Sequence, residues 1–529
     1  NANLRTVDRQ AFQGVGIIVD GINDLDNTQS VTPFGGNKSE RAYQAFLADL
    51  SFSYKDYLFL NLTGRNDLTS ALPKDKRSYF YGGASSSFIF TDALNISNDI
   101  LNSGKIRVGV AKVGSDPSPY LTQSVLFNTN PSGPGFGNNI AFVDFPFIGT
   151  NGQTVSGGLG NGLLTPEFTT EYEIGTDLRL FKNKVGIDFT YYNRNTTDQI
   201  VAITVPSTSG FNSAVSNIGK VSNKGIEVGL DLTPVSLANG FNWNIFASFT
   251  RNRNVVEELT EGLDEVFING FGNSVRVVHA VGLPYGQIKG SVAARSEDGQ
   301  LLVDPATGKL IQSSEEQIIG DPNPNYILGV TNSFTYKGVT LNVLFDYRDG
   351  GDMWSGTYNQ VYGRGLTTGT VPEGPRGREV TVVIPGVVGD PNTQSAKLDD
   401  NGNTIPNTTS LTVNDWYFIN TFGSSGPEEF SVFDASTIRL REISLGYSLP
   451  KNLLSKTPFG SANISLSGRN LWFKALNFPD DLNFDPETNS LGTGNVEGLS
   501  AFQSGNAQGI DLGIIPTTRR YGVNLRFTF

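Results

Sequence analysis

Three features of the sequence point to an all-β chain folded as a transmembrane antiparallel β-barrel. Apolar and polar residues alternate with period 2 in stretch after stretch, down to the last residue. The connections between these stretches are tight at one end and long at the other. Carboxylates occupy nearly every polar side, which a dry core could not hold and a water-filled lumen could.

The clearest stretch is the last. Tyr521, Val523, Leu525, Phe527 and Phe529 point one way, and Gly522, Asn524, Arg526 and Thr528 the other. A sandwich edge strand would usually trail off into polar residues. An alternating strand ending on an aromatic resembles the signal by which outer-membrane barrels are recognised for assembly, so these five residues are the candidate assembly signal. Composition agrees: 61 glycines and 11% aromatics beside only 17% charged residues suit strands and turns. No run of about 18 apolar residues offers a transmembrane helix, which has no bearing on a barrel. Cysteine is absent, so disulfides, thiol chemistry and cysteine-based metal sites are excluded. A net charge of −12 argues against nucleic acid, since no basic stripe is offered to phosphates.

In chain order, Phe12 to Val19 is an apolar stretch without clean period, followed by a polar loop. Ala48, Leu50, Phe52 and Tyr54 then alternate, Lys55-Asp56 turns the chain, and Leu58, Leu60 and Leu62 alternate back as a hairpin. Tyr79 to Phe90 and Lys105 to Lys112 make the next pair. From Val113 to Leu164 periodicity vanishes and Gly, Pro, Ser and Asn dominate, as in a long outer loop. Alternation resumes at Tyr172, Ile174, Thr176, Leu178 and Leu180, turns at Lys182 to Lys184, and returns through Ile187, Phe189 and Tyr191. Ile226 to Leu232 and Trp243 to Phe249 follow. About fourteen strands result. Tight turns alternate with four long connections: Val113 to Leu164, Asn252 to Asn325, Asp349 to Asp434, and Phe473 to Thr517. With Phe529 on the periplasmic side, every tight turn falls there and every long loop outside. Leu178, Phe189, Leu230 and Leu525 are then expected to face lipid, with Glu173, Asp188 and Glu227 facing the lumen.

Several ordered segments resemble one family. They include Leu164-Thr165-Pro166-Glu167-Phe168 running on to Gly175, Asn217-Ile218-Gly219-Lys220-Val221-Ser222-Asn223-Lys224-Gly225, Gly320-Asp321-Pro322-Asn323-Pro324, Asp434-Ala435-Ser436-Thr437-Ile438-Arg439-Leu440 and Gly468-Arg469-Asn470-Leu471. From about Tyr43 to the end, the chain resembles the barrel of the SusC/RagA family, the TonB-dependent outer-membrane transporters of Bacteroidetes. That resemblance implies a 22-stranded barrel, an N-terminal plug, TonB contact through a segment ahead of it, and a SusD-like surface lipoprotein as a lid. It implies import of a large nutrient, an oligosaccharide or a peptide. The alternatives are a TonB-dependent siderophore or cobalamin receptor, and a passive porin or structural barrel. Residues 1–529 are expected to be the C-terminal portion of the barrel, without plug or first strands, the last strand pairing with one outside this chain.

No catalytic constellation stands out, no cofactor is called for, and no enzyme is expected. The lone His279 lies among Val277, Val278 and Ala280, where packing explains it best, and offers no zinc site without cysteine. Asp399-Asp400-Asn401-Gly402-Asn403 spaces acceptors like a calcium turn, but Ser410 stands where a calcium loop needs Glu. Substrate contact is instead assigned to loop aromatics, Trp354, Tyr358 and Tyr362 in one cluster and Trp416 and Tyr417 in another, because aromatic faces stack on sugars and grip peptide side chains. The competing explanation is packing of loop on loop.

Overall fold

A computed structural model describes residues 2–20, 24–96, 98–128, 153–155, 157–260, 262–271, 275–374, 376–416, 426–479, 485–487, 508–513 and 517–528. Fourteen antiparallel strands form one sheet in strict sequence order. They are β1 Ala2–Ile17, β2 Thr28–Tyr54, β3 Leu58–Thr69, β4 Ser78–Ile89, β5 Leu101–Ser115, β6 Glu167–Leu180 and β7 Val185–Thr197. After these come β8 Lys220–Ser236, β9 Asn242–Glu258, β10 Tyr326–Tyr336, β11 Val339–Asp349, β12 Thr437–Ser448, β13 Ser461–Ala475 and β14 Arg520–Thr528. Among the described residues, β1 pairs only with β2 and β14 only with β13.

The tight turns carry the conformation their lengths demand. Tyr336 pairs with Val339, leaving Lys337 and Gly338 at φ 44° and 87° as a two-residue turn with both residues left-handed. Lys55-Asp56 (φ 48° and 57°) and Phe181-Lys182-Asn183 (φ 55°, 58° and 63°) close their hairpins the same way. The β4–β5 and β12–β13 connections, residues 90–100 and 449–460, each contain one turn of helix and lie at the same end.

Cross-strand register decides the faces. Leu178 opposes Ile187, Ile187 opposes Leu230, and Phe189 opposes Thr176 and Val228. The same face continues through Ala247, Val330, Phe345 and Leu445 to Leu466 and Val523, with Leu525 opposite Ile464. None of the described residues covers it: Val108, Ile174, Leu466 and Val523 are 46%, 51%, 54% and 66% exposed. In water, a belt of that size would be untenable on a monomer; in lipid it is the required surface. Glu173, Asp188 and Glu227 lie on the opposite face, as the alternation requires.

The start of the chain departs from expectation. The first strand is not Phe12 to Val19 but Ala2–Ile17, and most of the polar stretch after it belongs to β2, which is 27 residues long. Pro33 and the glycines near it read as loop. They sit at a register shift, where Ala11 pairs with Gly35 and Phe12 with Pro33, a bulge that tolerates a residue lacking an N–H.

Candidate functional site

Two layers carry the polar chemistry, the inner face of the wall and the folded loops at its long-loop end. On the inner face, cross-strand neighbours form an ionic lattice. Arg107 of β5 reaches Asp177 of β6 (3.2 Å) and Asp188 of β7 (3.0 Å), and also donates to Thr190 Oγ1 (3.1 Å). Lys105 Nζ lies 2.7 Å from Asp177. Farther round, Asn244 donates to Asp231 (2.8 Å), Ser333 to Asn342 (2.7 Å) and Asn342 to Ser444 (3.2 Å). Along β5–β7, β8–β9 and β10–β12, neighbouring strands thus offer one another polar partners on the inner face.

Near the mouth, this lattice becomes a set of anchors. Asp67 of β3 is buried and accepts from Tyr81 Oη (2.6 Å), from Arg65 Nε (2.7 Å) and from Tyr43. Arg41 of β2 and Thr69 of β3 both bind Asp116, the first loop residue after β5. Leu72, Tyr79, Leu164 and Val215 pack above them. Across the wall, Arg439 of β12 is buried against Asp485 in the loop between β13 and β14, which also accepts from Thr517. Burial pushes the Asp485 carboxyl up, but the Arg439 and Thr517 hydrogen bonds outweigh it and hold the group below the usual carboxylate range. Arg441 bridges Asp346 of β11 and Glu487 of the same loop.

The loops fold on one another. Strands Glu265–Phe271, Val275–Ala280, Gln287–Gly290 and Gln317–Gly320 make a small antiparallel sheet. Asp352–Ser355 pairs with Val432–Asp434 and with Ile510–Asp511. Val275, Val277 and Ile288 from the first sheet pack with Trp354 and Ile510 from the second, uniting three long loops in one cluster.

This arrangement places the expected contact residues. Trp354, Tyr358 and Tyr362 are brought together, but inside the loop layer, at 3%, 8% and 8% exposure. Trp354 Nε1 donates to Glu428 Oε2 (2.7 Å), which also accepts from Asn359 (3.1 Å). The Tyr358 ring lies 4.3 Å from Tyr362 and 4.7 Å from Phe433. In this conformation the three rings hold loop to loop. Trp416 is half-buried beside Val303, Ile384 and Leu411, and Tyr417 lies outside the described residues. Tyr521, Val523, Leu525 and Phe527 form an exposed apolar row on β14, and Phe529 also lies outside the described residues.

His279 is buried, its Nδ1 accepting from the Gly286 N–H at 3.1 Å under the Tyr285 ring. Burial pulls it down to about 4, so it is neutral at pH 7. The Asp399 carboxylate is engaged in its own turn, accepting from the backbone of Asn401 (2.9 Å) and Asn403 (2.8 Å). The sequence singles out neither Glu428 nor Asp485, and it gives Arg439 a place in a motif but no partner. Their partners lie 32 to 74 positions away, and nothing local marks such pairs.

A lipid-facing antiparallel wall with a polar inner face and a folded loop layer at one end is the architecture of an outer-membrane β-barrel. Residues 3–278 match the family model described as TonB dependent receptor-like, beta-barrel, and the chain belongs to that family. Among curated relatives, TonB-dependent receptor P26 of Formosa agariphila is 25% identical, the match covering 99% of this chain and 50% of that protein. TonB-dependent receptor P3 of the same organism is 24% identical over 98% of this chain and 47% of its own length. The chain therefore spans about half the length of the curated relatives it matches. Among solved structures, the RagAB peptide importer in its closed-closed state superposes with a TM-score of 0.65 at 18% identity, covering all of this chain and 53% of that one. The RagAB peptide transporter gives 0.62 at 17%, over 97% of this chain and 50% of that one. The fold is shared with these, and the SusC/RagA-type resemblance in the sequence motifs is borne out.

Proposed function

We propose that this chain supplies the wall and mouth of a transporter that imports a large nutrient, an oligosaccharide or a peptide, with a SusD-like lipoprotein as its lid and TonB as its source of energy. The observation that carries this reading is the loop layer. Loops from three separate connections fold together around Trp354 and Ile510, and this supports the reading because a docking lid needs a broad ordered surface, on the order of 1,000 Å². Residues 350–436 and 476–519 are the proposed lid-bearing loops, and residues 1–529 the C-terminal portion of the barrel. The protein acts by binding and passage, without catalysis. Trp354, Tyr358, Tyr362, Trp416 and Tyr417 contact cargo only after the loop layer opens, since the described rings are largely covered when it is closed.

The test is affinity purification of the full-length protein in mild detergent from its native membrane. A surface lipoprotein should co-purify in stoichiometric amount, and native mass spectrometry should find peptide or glycan in the assembly. A tightly held metal chelate instead, with no lipoprotein, would favour the siderophore reading and refute this one.

A further inference from the structure

Charge is distributed unevenly between the two ends of the wall. The seven connections at the long-loop end, residues 18–27, 70–77, 116–166, 198–219, 259–325, 350–436 and 476–519, hold 32 Asp and Glu against 12 Lys and Arg. The six tight connections, residues 55–57, 90–100, 181–184, 237–241, 337–338 and 449–460, reverse that balance, with 6 Lys and no Arg against 3 Asp and no Glu. In a chain of net charge −12, the tight-turn end is the cationic one.

Three of these turns repeat one device. Tyr54-Lys55, Phe181-Lys182 and Tyr336-Lys337 each place an aromatic at the end of an outgoing strand, followed by an exposed lysine. Lys55 Nζ lies 5.3 Å from the Tyr54 ring centre, and Lys337 Nζ 5.2 Å from that of Tyr336. All three lysines are left-handed, at φ 48°, 58° and 44°. That conformation costs an L-residue roughly 1–2 kcal/mol, and Asn or Gly would fill such turns with less strain. Turn geometry therefore does not account for lysine. Nor do acidic partners: Lys182 meets Asp99 at 3.3 Å with both groups mostly exposed, and Lys55 and Lys337 have no ion pair among the described residues. Exposed apolar side chains flank the same rim, among them Phe181, Leu237 and Leu453. Aromatic rings at the headgroup level with ammonium groups just beyond are the arrangement that meets a phospholipid interface.

We propose that the Lys55, Lys182 and Lys337 turns form a binding rim for anionic phospholipid headgroups of the periplasmic leaflet, each aromatic seated at the acyl boundary and each ammonium on a lipid phosphate. The rim does not depend on what the transporter carries.

The test uses the full-length protein in nanodiscs of phosphatidylethanolamine, with spin-labelled phosphatidylglycerol or phosphatidylcholine as probe. Wild type should bind the anionic probe more tightly at the motionally restricted sites, by about fivefold per engaged lysine. The triple variant Lys55→Gln, Lys182→Gln, Lys337→Gln should bring the ratio close to one, and the triple Lys→Arg variant should keep it. Lys337→Asn should raise thermal stability by relieving the turn while still lowering the preference. Equal preference in wild type and the triple Gln variant would overturn the proposal, as would a destabilised Lys337→Asn, which would give the lysine a structural role. Loss of the preference on adding millimolar inorganic phosphate at constant ionic strength would mark a free-anion site instead and equally overturn it.

Discussion

Replacing Asp485 by alanine removes the carboxylate that neutralises Arg439, and both side chains are only 1% exposed. Breaking a buried pair from one side costs about 3–5 kcal/mol, because the remaining charge stays buried without its partner. Arg439 keeps two lesser contacts, Glu487 at 3.5 Å and the Phe473 ring at 5.0 Å, which place the expected loss at the lower bound. A loss of about 3 kcal/mol raises the open population of the β13–β14 loop roughly a hundredfold. Hydrogen exchange read by mass spectrometry should show this in peptides of that loop, while the wall strands and the heat-modifiable gel shift of the barrel stay as in wild type. The paired variant Arg439→Met, Asp485→Leu should recover most of the protection, since a buried ion pair exchanged for apolar residues is often neutral. Wild-type exchange in Asp485→Ala, or a paired variant as open as the single one, would refute the view that this pair pins the loop to the wall.

Three further outcomes follow from the geometry. His279 is depressed from 6.5 to about 4, so the unfolded loop binds the extra proton between those values; the stability of the Glu265–Phe271 and Val275–Ala280 sheet is complete above pH 6.5 and falls by up to about 3 kcal/mol as pH drops towards 4. Limited proteolysis across that range should show the loss, and His279→Phe should flatten it. Glu428→Ala deprives the Trp354 and Asn359 donors of their shared acceptor and should cost the loop layer about 2–3 kcal/mol, read as faster proteolysis between 350 and 436, whereas Glu428→Gln should cost less because one acceptor oxygen survives. Leu525→Arg sets a charge on the lipid face of β14 and should cost about 2–4 kcal/mol if it lies near the bilayer midplane, lowering the yield of folded barrel on a semi-native gel; Asn524→Arg, on the opposite face, should be nearly silent.

The wall was legible because its physics is local. Alternation at Leu178, Phe189, Leu230 and Leu525 needs no knowledge of partners, and the tight turns announce themselves in Lys-Asp and Lys-Gly pairs. The N-terminal half of β2 escaped because Pro33 and its neighbouring glycines resemble a loop, and only pairing with β1 makes them strand. The loop layer was illegible for the opposite reason. Its strands are mostly two to seven residues long, too short to show a period, and they pair across wide separations, as Ser355 does with Asp511. The aromatics Trp354, Tyr358 and Tyr362 could be recognised as a cluster, but their burial depends on Glu428 and Phe433, which return from far along the chain. Composition alone does not distinguish a ring that grips a ligand from one that grips a neighbouring loop.

Among the described residues, the buried apolar side chains of the mouth fall into small clusters around Leu164, Trp354, Leu302, Met353 and Leu411 and not into one core. Heating should therefore dissolve this end in stages, each cluster a separate cooperative unit, well before the hydrogen-bonded wall yields. The same division governs how the chain can change over generations. A substitution that ruins one cluster is contained by its neighbours, so the outer end can vary in sequence while every residue on the lipid-facing side of the sheet must still meet hydrocarbon.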